Sequence, residues 1–425
     1  MYRSYCGKLM LLGVVVLVAL FLVSGVLGLT RLAVARLYGG YQLDFGVYYL
    51  AGAILESPEP NGLYSMERLE LEAEKRDMPH FIREDSRAPY VYPPLLAVLM
   101  RRVSRLPYHV AESAWLGFNA CAILISAIPL VTWNERRRRG IGMYLAISLF
   151  LALYTPGHSA LMLGQVSPLL LCSLSWAFLF LVSRRFSNHS LAHAAAGFLI
   201  GFASFIKVFP ILLLAFLMWR RKFRVVGWTI VSICVYTIVC LLGSGVSNTA
   251  YFFFSFLPSF YRRRAYGGFV YDQSFSAALV RWLGPTRVVP WFSLGFSALV
   301  VLVTVFVLVR SRRAVVDSER LGIEFSLVLT ASILVLTYTT LNYYLLLLIP
   351  MAALWFSSGK RAARAWPVLG CIALICVYSL VLWAFARVGY LIPFGLIAVL
   401  SLWGALVVRV GHRVEVLRSE EVEMG

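Results

Sequence analysis

Apolar runs of near membrane-spanning length alternate with short polar stretches along almost the whole chain. A helix crossing a bilayer needs roughly 20 mainly apolar residues, because the hydrocarbon core is about 30 Å thick. The pattern predicts about twelve spans of this kind, at residues 9–29, 111–133, 140–155, 166–183, 191–206, 208–219, 223–243, 288–310, 322–339, 343–356, 366–386 and 390–410. Leu9 to Leu29 carries no charge. It is longer than the roughly 7–15 apolar residues of a secretory signal, so it reads as a retained first span despite the cleavage-site form of Ala33-Val34-Ala35. The runs 191–206 and 208–219 are parted only by Lys207, with Pro210 just beyond. They read as two half-spans meeting at a break, an arrangement that in membranes lines protein-enclosed space rather than lipid.

Two polar segments are long, Thr30–Val110 and Ser244–Arg287. In the first, "FGVYYLAGAILE" predicts an amphipathic helix whose aromatics suit a membrane interface. "SMERLELEAEKRDM" predicts a charged helix begun by Ser65. Pro93 and Pro94 end one segment and start another helix. Gly39 and Gly40 are expected to turn the chain as it leaves the bilayer. There is no internal repeat or low-complexity tract, so residues 1–425 read as a single multispanning domain, with the loops 30–110 and 244–287 forming its working face.

Charge fixes an orientation. The short stretches "NERRRRG", "SRRFSN", "WRRKFR", "RSRR" and "GKRAAR" are strongly basic, which marks cytoplasmic loops. Alternating spans place all of them on one side together with both termini. The long segments then fall outside, and Thr30–Val110 holds ten of the twenty acidic residues. The net charge of +19 is thereby accounted for without nucleic acid. A composition of 60% hydrophobic and 14% charged residues, against roughly 25% charged in soluble domains, agrees with an integral multi-pass protein of the plasma or inner membrane. The seven cysteines form no CxxC pair and suggest neither a disulfide framework nor zinc. There is no HExxH, GxSxG or GxxxxGK[ST] pattern, and His158 sits in an apparent exterior turn without metal-ligand spacing.

The chemistry-bearing positions each have a plain reading beside a functional one. Asp44 either caps the helix starting at Phe45 or, shielded by Tyr41, Phe45, Tyr48 and Tyr49, acts as a general base with a raised pKa. Lys207 is either a lysine reaching from a helix end toward water or a counter-charge for phosphate. Arg262, Arg263 and Arg264 fall on the exterior side against the basic-inside trend. They serve either lipid headgroups or a phosphate, which arginine favours. Gln165, Gln273 and Asn342, at exterior span ends, either satisfy free backbone groups or bind sugar.

The pieces "LDFGVYYLAG", "YPPLLAVLM", "LGQVSPLLL", "GFASFIKVFPILLL" followed by "RRKFR", "YDQSFSAAL" and "NYYLLLLIP" together resemble glycosyltransferase family 87. They follow the family's order and cover most of residues 40–355. The resemblance implies an all-α polytopic membrane protein, a GT-C-like bundle of about 12 transmembrane helices with amphipathic helices in its long first exterior loop. It implies an inverting transfer of a hexose, mannose in the characterised members, from a polyprenyl-phosphate-sugar donor to a glycolipid or glycan acceptor at the exterior or periplasmic face. Asp44 matches the family's exterior aspartate, proposed as catalytic base. Lys207 and Arg262–Arg264 would hold the donor phosphate, and Tyr48, Gln165, Gln273, Asn342 and Tyr343 would bind sugar or acceptor. No cofactor and no obligatory metal are expected, because a lipid monophosphate needs less neutralisation than a nucleotide diphosphate. The chain departs from the family in two places: members often have histidine at Asn342 and asparagine at Asp272.

Other classes remain open at this point. Twelve spans with a broken pair also suit a transporter or lipid flippase, although transporters tend to show repeats and midplane sites. The two departures keep open a non-catalytic family member.

Overall fold

The computed structural model describes residues 2–37, 43–57, 61–78, 90–133, 141–186, 189–264, 272–311, 317–357, 361–384 and 393–423. Regular structure among them is helical: α1 (Tyr2–Leu37), α2 (Leu43–Glu56), α3 (Met66–Lys75), α4 (Pro94–Val103), α5 (Tyr108–Ile125), α6 (Ala127–Thr132), α7 (Ile141–Leu153), α8 (Thr155–Leu163), α9 (Ser167–Val182), α10 (Ser190–Ile206), α11 (Leu212–Trp219), α12 (Phe223–Tyr251), α13 (Leu257–Arg264), α14 (Phe275–Leu283), α15 (Val289–Arg310), α16 (Ser318–Leu334), α17 (Leu348–Phe356), α18 (Arg361–Ala384) and α19 (Phe394–Glu423). Contacts group the chain into two compact units, residues 34–135 with 160–264, and residues 1–33 with 136–159 and 265–425. The expected glycine turn at Gly39 and Gly40, and Tyr41, lie outside the described residues.

Among the described residues the apolar runs read from the sequence fall mainly on a helix or on consecutive helices, the run 322–339 outlasting its helix by five residues, but the count of twelve spans does not follow from helix length. Tyr108–Thr132, Phe223–Phe260, Val289–Arg310 and Phe394–Gly411 are long and apolar enough to cross alone. A fifth candidate is α7 with α8, bent by 57° at the break. The helices α9 and α10 have 16 and 17 residues, about 25 Å at 1.5 Å per residue, which is short of the hydrocarbon thickness.

In the unit containing residues 34–135 and 160–264, α2 is a core helix. Every residue from Tyr48 to Leu55 is buried, which corrects the interface-lying helix expected from its aromatics. From Phe45 to Leu55 it carries no charged residue, and such a helix belongs inside a protein. Phe45 stacks on Trp115 with ring centroids 5.6 Å apart, and the Tyr49 hydroxyl donates to the Leu106 carbonyl at 2.7 Å. Small residues let α2 press on α4: a Cβ at Gly52 would stand 2.6 Å from the Met100 carbonyl carbon. The charged helix α3 begins as expected, with Ser65 Oγ accepting from the Arg68 N–H at 3.4 Å. Pro94 opens α4.

The same unit holds the expected break. α10 ends at Ile206, Lys207 is extended (φ −133°, ψ 118°), and a 3-10 turn at Phe209–Ile211 leads into α11. α10 carries Gly197 and Gly201 four residues apart, a spacing that lets membrane helices approach closely. α12 lies against them, so that a Cβ at Gly197 would come within 2.7 Å of the Val225 carbonyl oxygen. α12 runs past the expected span end at residue 243, breaking at Gly245 (φ 85°, ψ 160°) and continuing through a π-turn at Phe252–Phe256 into α13.

In the other unit α16 is buried along its whole length. Its charges are paired: Arg320 Nε donates to Glu324 Oε1 at 3.0 Å, and Ser311 Oγ donates to the same oxygen at 3.0 Å. Asp317 caps the helix by accepting from the Arg320 N–H at 2.8 Å. After α16 the chain is irregular to Thr340, then forms a 3-10 turn, Leu341–Leu347, before α17. His158 lies in α8 and is buried, not in a turn. Pro156 occupies an early helix position, where proline is well tolerated.

Candidate active site

Asp44 lies in the first turn of α2. The helix begins one residue earlier, so Asp44 is not the cap before Phe45, and its carboxylate is used elsewhere. Gln165 Nε2 donates to Asp44 Oδ2, while Gln165 Oε1 accepts from the Tyr92 hydroxyl at 2.9 Å. Gln165 sits in the tight turn between α8 and α9. That turn is pinned by Trp115 Nε1, which donates to the Gly164 carbonyl at 2.8 Å. The Tyr48 ring meets Tyr92 edge-on at 4.9 Å, and Lys207 Nζ lies 6.0 Å from the Tyr92 ring centre. One aspartate, one carboxamide, two phenols and one ammonium are thus brought together from α2, the Tyr90–Pro93 segment, the α8–α9 turn and the α10 break.

The electrostatics follow from that arrangement. Burial pushes the Asp44 carboxyl up from 3.8 to about 6, and the Gln165 hydrogen bond and the Lys207 charge pull the other way. Asp44 as a residue keeps part of its surface open. A carboxylate with this pKa is about nine-tenths ionised at pH 7 and is a far better proton acceptor than an ordinary one.

The remaining sugar or acceptor candidates lie in the other unit. Asp272 Oδ1 accepts from the Ser274 and Thr339 N–H groups at 2.8 and 2.9 Å, and Gln273 N–H donates to the Thr339 carbonyl at 2.6 Å. Gln273 Oε1 accepts from the Gly395 N–H at 3.2 Å. Arg281, on α14, donates through Nη1 to the Asp272 carbonyl at 2.6 Å. Asn342 is buried and accepts through Oδ1 from the Thr340 hydroxyl. The Tyr343 N–H donates to the Thr340 carbonyl at 2.9 Å. Arg262, Arg263 and Arg264 end α13, and their side chains lie outside the described residues. Among the described residues no three histidine, cysteine, aspartate or glutamate side chains come together in a group that could hold a metal ion.

The family model of glycosyltransferase family 87 matches residues 90–337, well over half of the chain. The chain belongs to glycosyltransferase family 87. Comparison with curated proteins gave no match, and comparison with solved structures gave none either. Membership makes this a membrane glycosyltransferase and sets the transporter reading aside. The matched region of this family 87 chain contains Tyr92, Gln165, Lys207, Asp272, Gln273 and Arg281. Asp44, Asn342 and Tyr343 fall outside it. Sequence reading picked out Asp44, Gln165 and Lys207 singly. It missed Tyr92, an aromatic in a proline-rich stretch, and Arg281, which the run "SFSAALVRWL" presents as an ordinary helix-end charge.

Asp272 gives a prediction of its own. Burial raises its carboxyl from 3.8 to about 6, against the backbone donors of Thr339 and Ser274 and the Arg281 charge. A folded-state pKa above the unfolded value means that folding is favoured by protonation. The contribution of this group therefore improves as pH falls from about 6 to about 4, and at neutral pH the ionised form is a cost. Asp272→Asn keeps the oxygen that accepts both backbone N–H groups. It should be more stable than the wild type at neutral pH by about 1–3 kcal/mol, with the difference fading toward pH 4. Thermal unfolding of the detergent-solubilised protein across this range measures it. A variant that is less stable at neutral pH would show that the second carboxylate oxygen has a partner.

Proposed function

We propose that the protein is an inverting glycosyltransferase that moves a hexose, mannose first among them, from a polyprenyl-phosphate-sugar donor to a glycolipid or glycan acceptor. The site lies at the exterior face of the plasma or inner membrane, with both chain termini cytoplasmic. The observation that carries this is Asp44: a partly open carboxylate with a raised pKa, oriented by the Gln165–Tyr92 relay, with Lys207 beside it. A sugar hydroxyl is a poor nucleophile until its proton is taken. Ionised Asp44 takes that proton as the hydroxyl oxygen forms its bond to the anomeric carbon. The bond from that carbon to the phosphate oxygen breaks on the opposite face, and its electron pair leaves with the lipid phosphate. One displacement inverts the configuration. Lys207, joined by arginine from Arg262–Arg264, stabilises the charge that develops on the leaving phosphate, where a fixed cation in a low-dielectric setting has most effect. The chemistry needs neither cofactor nor obligatory metal.

Purified protein assayed with polyprenyl-phosphate-mannose and a membrane glycolipid extract tests the reading, and transfer is expected to persist in EDTA. Lys207→Ala should raise the KM for the lipid donor by about tenfold or more, the loss expected for one charged hydrogen bond. Unchanged donor kinetics in a folded Lys207→Ala protein would return Lys207 to a role at the helix break alone.

The base has a pH signature. Activity should fall as pH drops through about 6, where Asp44 protonates. Gln165→Leu removes the hydrogen bond that favours the ionised form, so its acid limb should move to higher pH. An acid limb near 4 in the wild type would mean that Asp44 is not the titrating base.

A further inference from the structure

The unit that contains Asp272 holds a second polar cluster that the transfer step does not use. Asp272 Oδ2, Gln273 Nε2, Arg281 Nε and Nη2, Thr337 Oγ1 and Tyr344 Oη are all buried with no hydrogen-bond partner among the described residues. They are neighbours. Arg281 bonds the Asp272 carbonyl, and Ser274 Oγ donates to the Thr337 carbonyl at 3.0 Å. The Tyr344 hydroxyl lies 2.1 Å from where a Cβ would stand on Gly395, whose N–H is held by Gln273. Asp272, Gln273 and Tyr344 are at most 1% exposed. Buried polar groups are almost always paired, and a group of exceptions in one place calls for water, an ion or a ligand.

The mixture of groups selects among ligands. Phosphate offers only acceptors and would face the Asp272 carboxylate. A metal ion would face the Arg281 guanidinium. A sugar hydroxyl both donates and accepts, which suits a carboxylate oxygen set among guanidinium, carboxamide and hydroxyl groups. We propose that Asp272, Gln273, Arg281 and Tyr344 form a hexose subsite, with Asp272 Oδ2 accepting from one ring hydroxyl while Arg281 and Gln273 donate to its neighbour. The subsite rests on the glycosyl-transfer reading. Its hexose is that of the donor or that of the acceptor, which share this diol chemistry.

The test uses the full-length protein in detergent with radiolabelled D-mannose as probe in equilibrium dialysis, monodeoxy-mannoses as competitors and inorganic phosphate as a control. Saturable mannose binding is expected, with at least one deoxy analogue failing to compete, because a site built around a hydroxyl rejects the analogue lacking it. Arg281→Gln should weaken binding by about tenfold to a hundredfold. Tyr344→Phe removes a hydroxyl without a described partner, so the unliganded protein should keep or raise its Tm while mannose affinity falls. In transfer assays, a rise in donor KM alone assigns the hexose to the donor, and a rise in acceptor KM alone assigns it to the acceptor. Absent mannose binding, binding equal in both variants, competition by phosphate, or a Tyr344→Phe protein with a lowered unliganded Tm would each overturn the subsite. Asp44→Asn separates the two readings. It should bind mannose as the wild type does, and if it also transferred sugar normally, the mechanism would fail while the subsite stood.

Discussion

Asp44→Asn should reduce sugar transfer by about 10²–10⁴-fold, the usual worth of general-base assistance, in a protein that folds as the wild type does. Asparagine has the size of aspartate, and its side-chain oxygen still accepts from Gln165 Nε2. Asp44 lies within the first turn of α2 rather than before it, so no cap is lost. What disappears is the capacity to take a proton. The variant should also lose the acid limb near pH 6, because the group that titrates there is gone. Turnover of purified Asp44→Asn within a few-fold of the wild type would leave the enzyme without its base and would point to a family member that binds sugars without transferring them.

Gly52→Ala should be the more damaging of two otherwise identical changes. A single added methyl at Gly52 meets the Met100 carbonyl carbon and oxygen at 2.6 and 2.7 Å. Those are backbone atoms of α4, which move only if the helix moves. Overpacking of this kind costs about 1–3 kcal/mol, and it displaces the helix that holds Asp44. A shift of about 1 Å in a reacting group costs about 10²-fold in rate, so turnover should fall further than stability alone would require. Gly117→Ala on α5 is the matched control, since nothing lies within 4 Å of its Cβ position. It should keep full activity and gain slightly in helix propensity. Equal Tm and activity in the two variants would show that α2 and α4 can separate without cost.

Most of the helices were legible because they are apolar runs, which the sequence displays most openly, and the charged α3 was marked by its Ser65 cap. Their boundaries were less so. The run "YFFFSFLP" is apolar beyond residue 243, so nothing there distinguished a loop from the helix that continues through Gly245. The segment "TPGHSALML" read as a turn because proline and glycine are adjacent, although proline at a helix start leads to helix just as well. The aromatics of α2 illustrate a deeper limit. A membrane interface and a protein core both accommodate Phe45, Tyr48 and Tyr49, and periodicity cannot distinguish them; Gly52 carried the missing information. The "GFLIG" spacing at Gly197 and Gly201 was equally visible and unused. In the site, Asp44 and Gln165 were each noticed, but they are 121 positions apart, and no local pattern announces a bond across that distance. Tyr92 and Arg281 stayed hidden because their roles depend on partners contributed by other segments.

The long helices α12 and α15 have open apolar flanks. On α12 Leu242 is 83% exposed, and on α15 Trp291 is 74% exposed, whereas the shorter α9 is buried along most of its length. α12 and α15 thus offer apolar surface suited to lipid, whereas α9 is solvated by protein. A short helix facing lipid would have to thin the bilayer or tilt its neighbours to hide its ends. Enclosed by other helices, α9 makes no such demand. Its N-terminus, two residues after Gln165, can sit at a depth set by the protein around it, without reference to the acyl-chain length of the surrounding membrane.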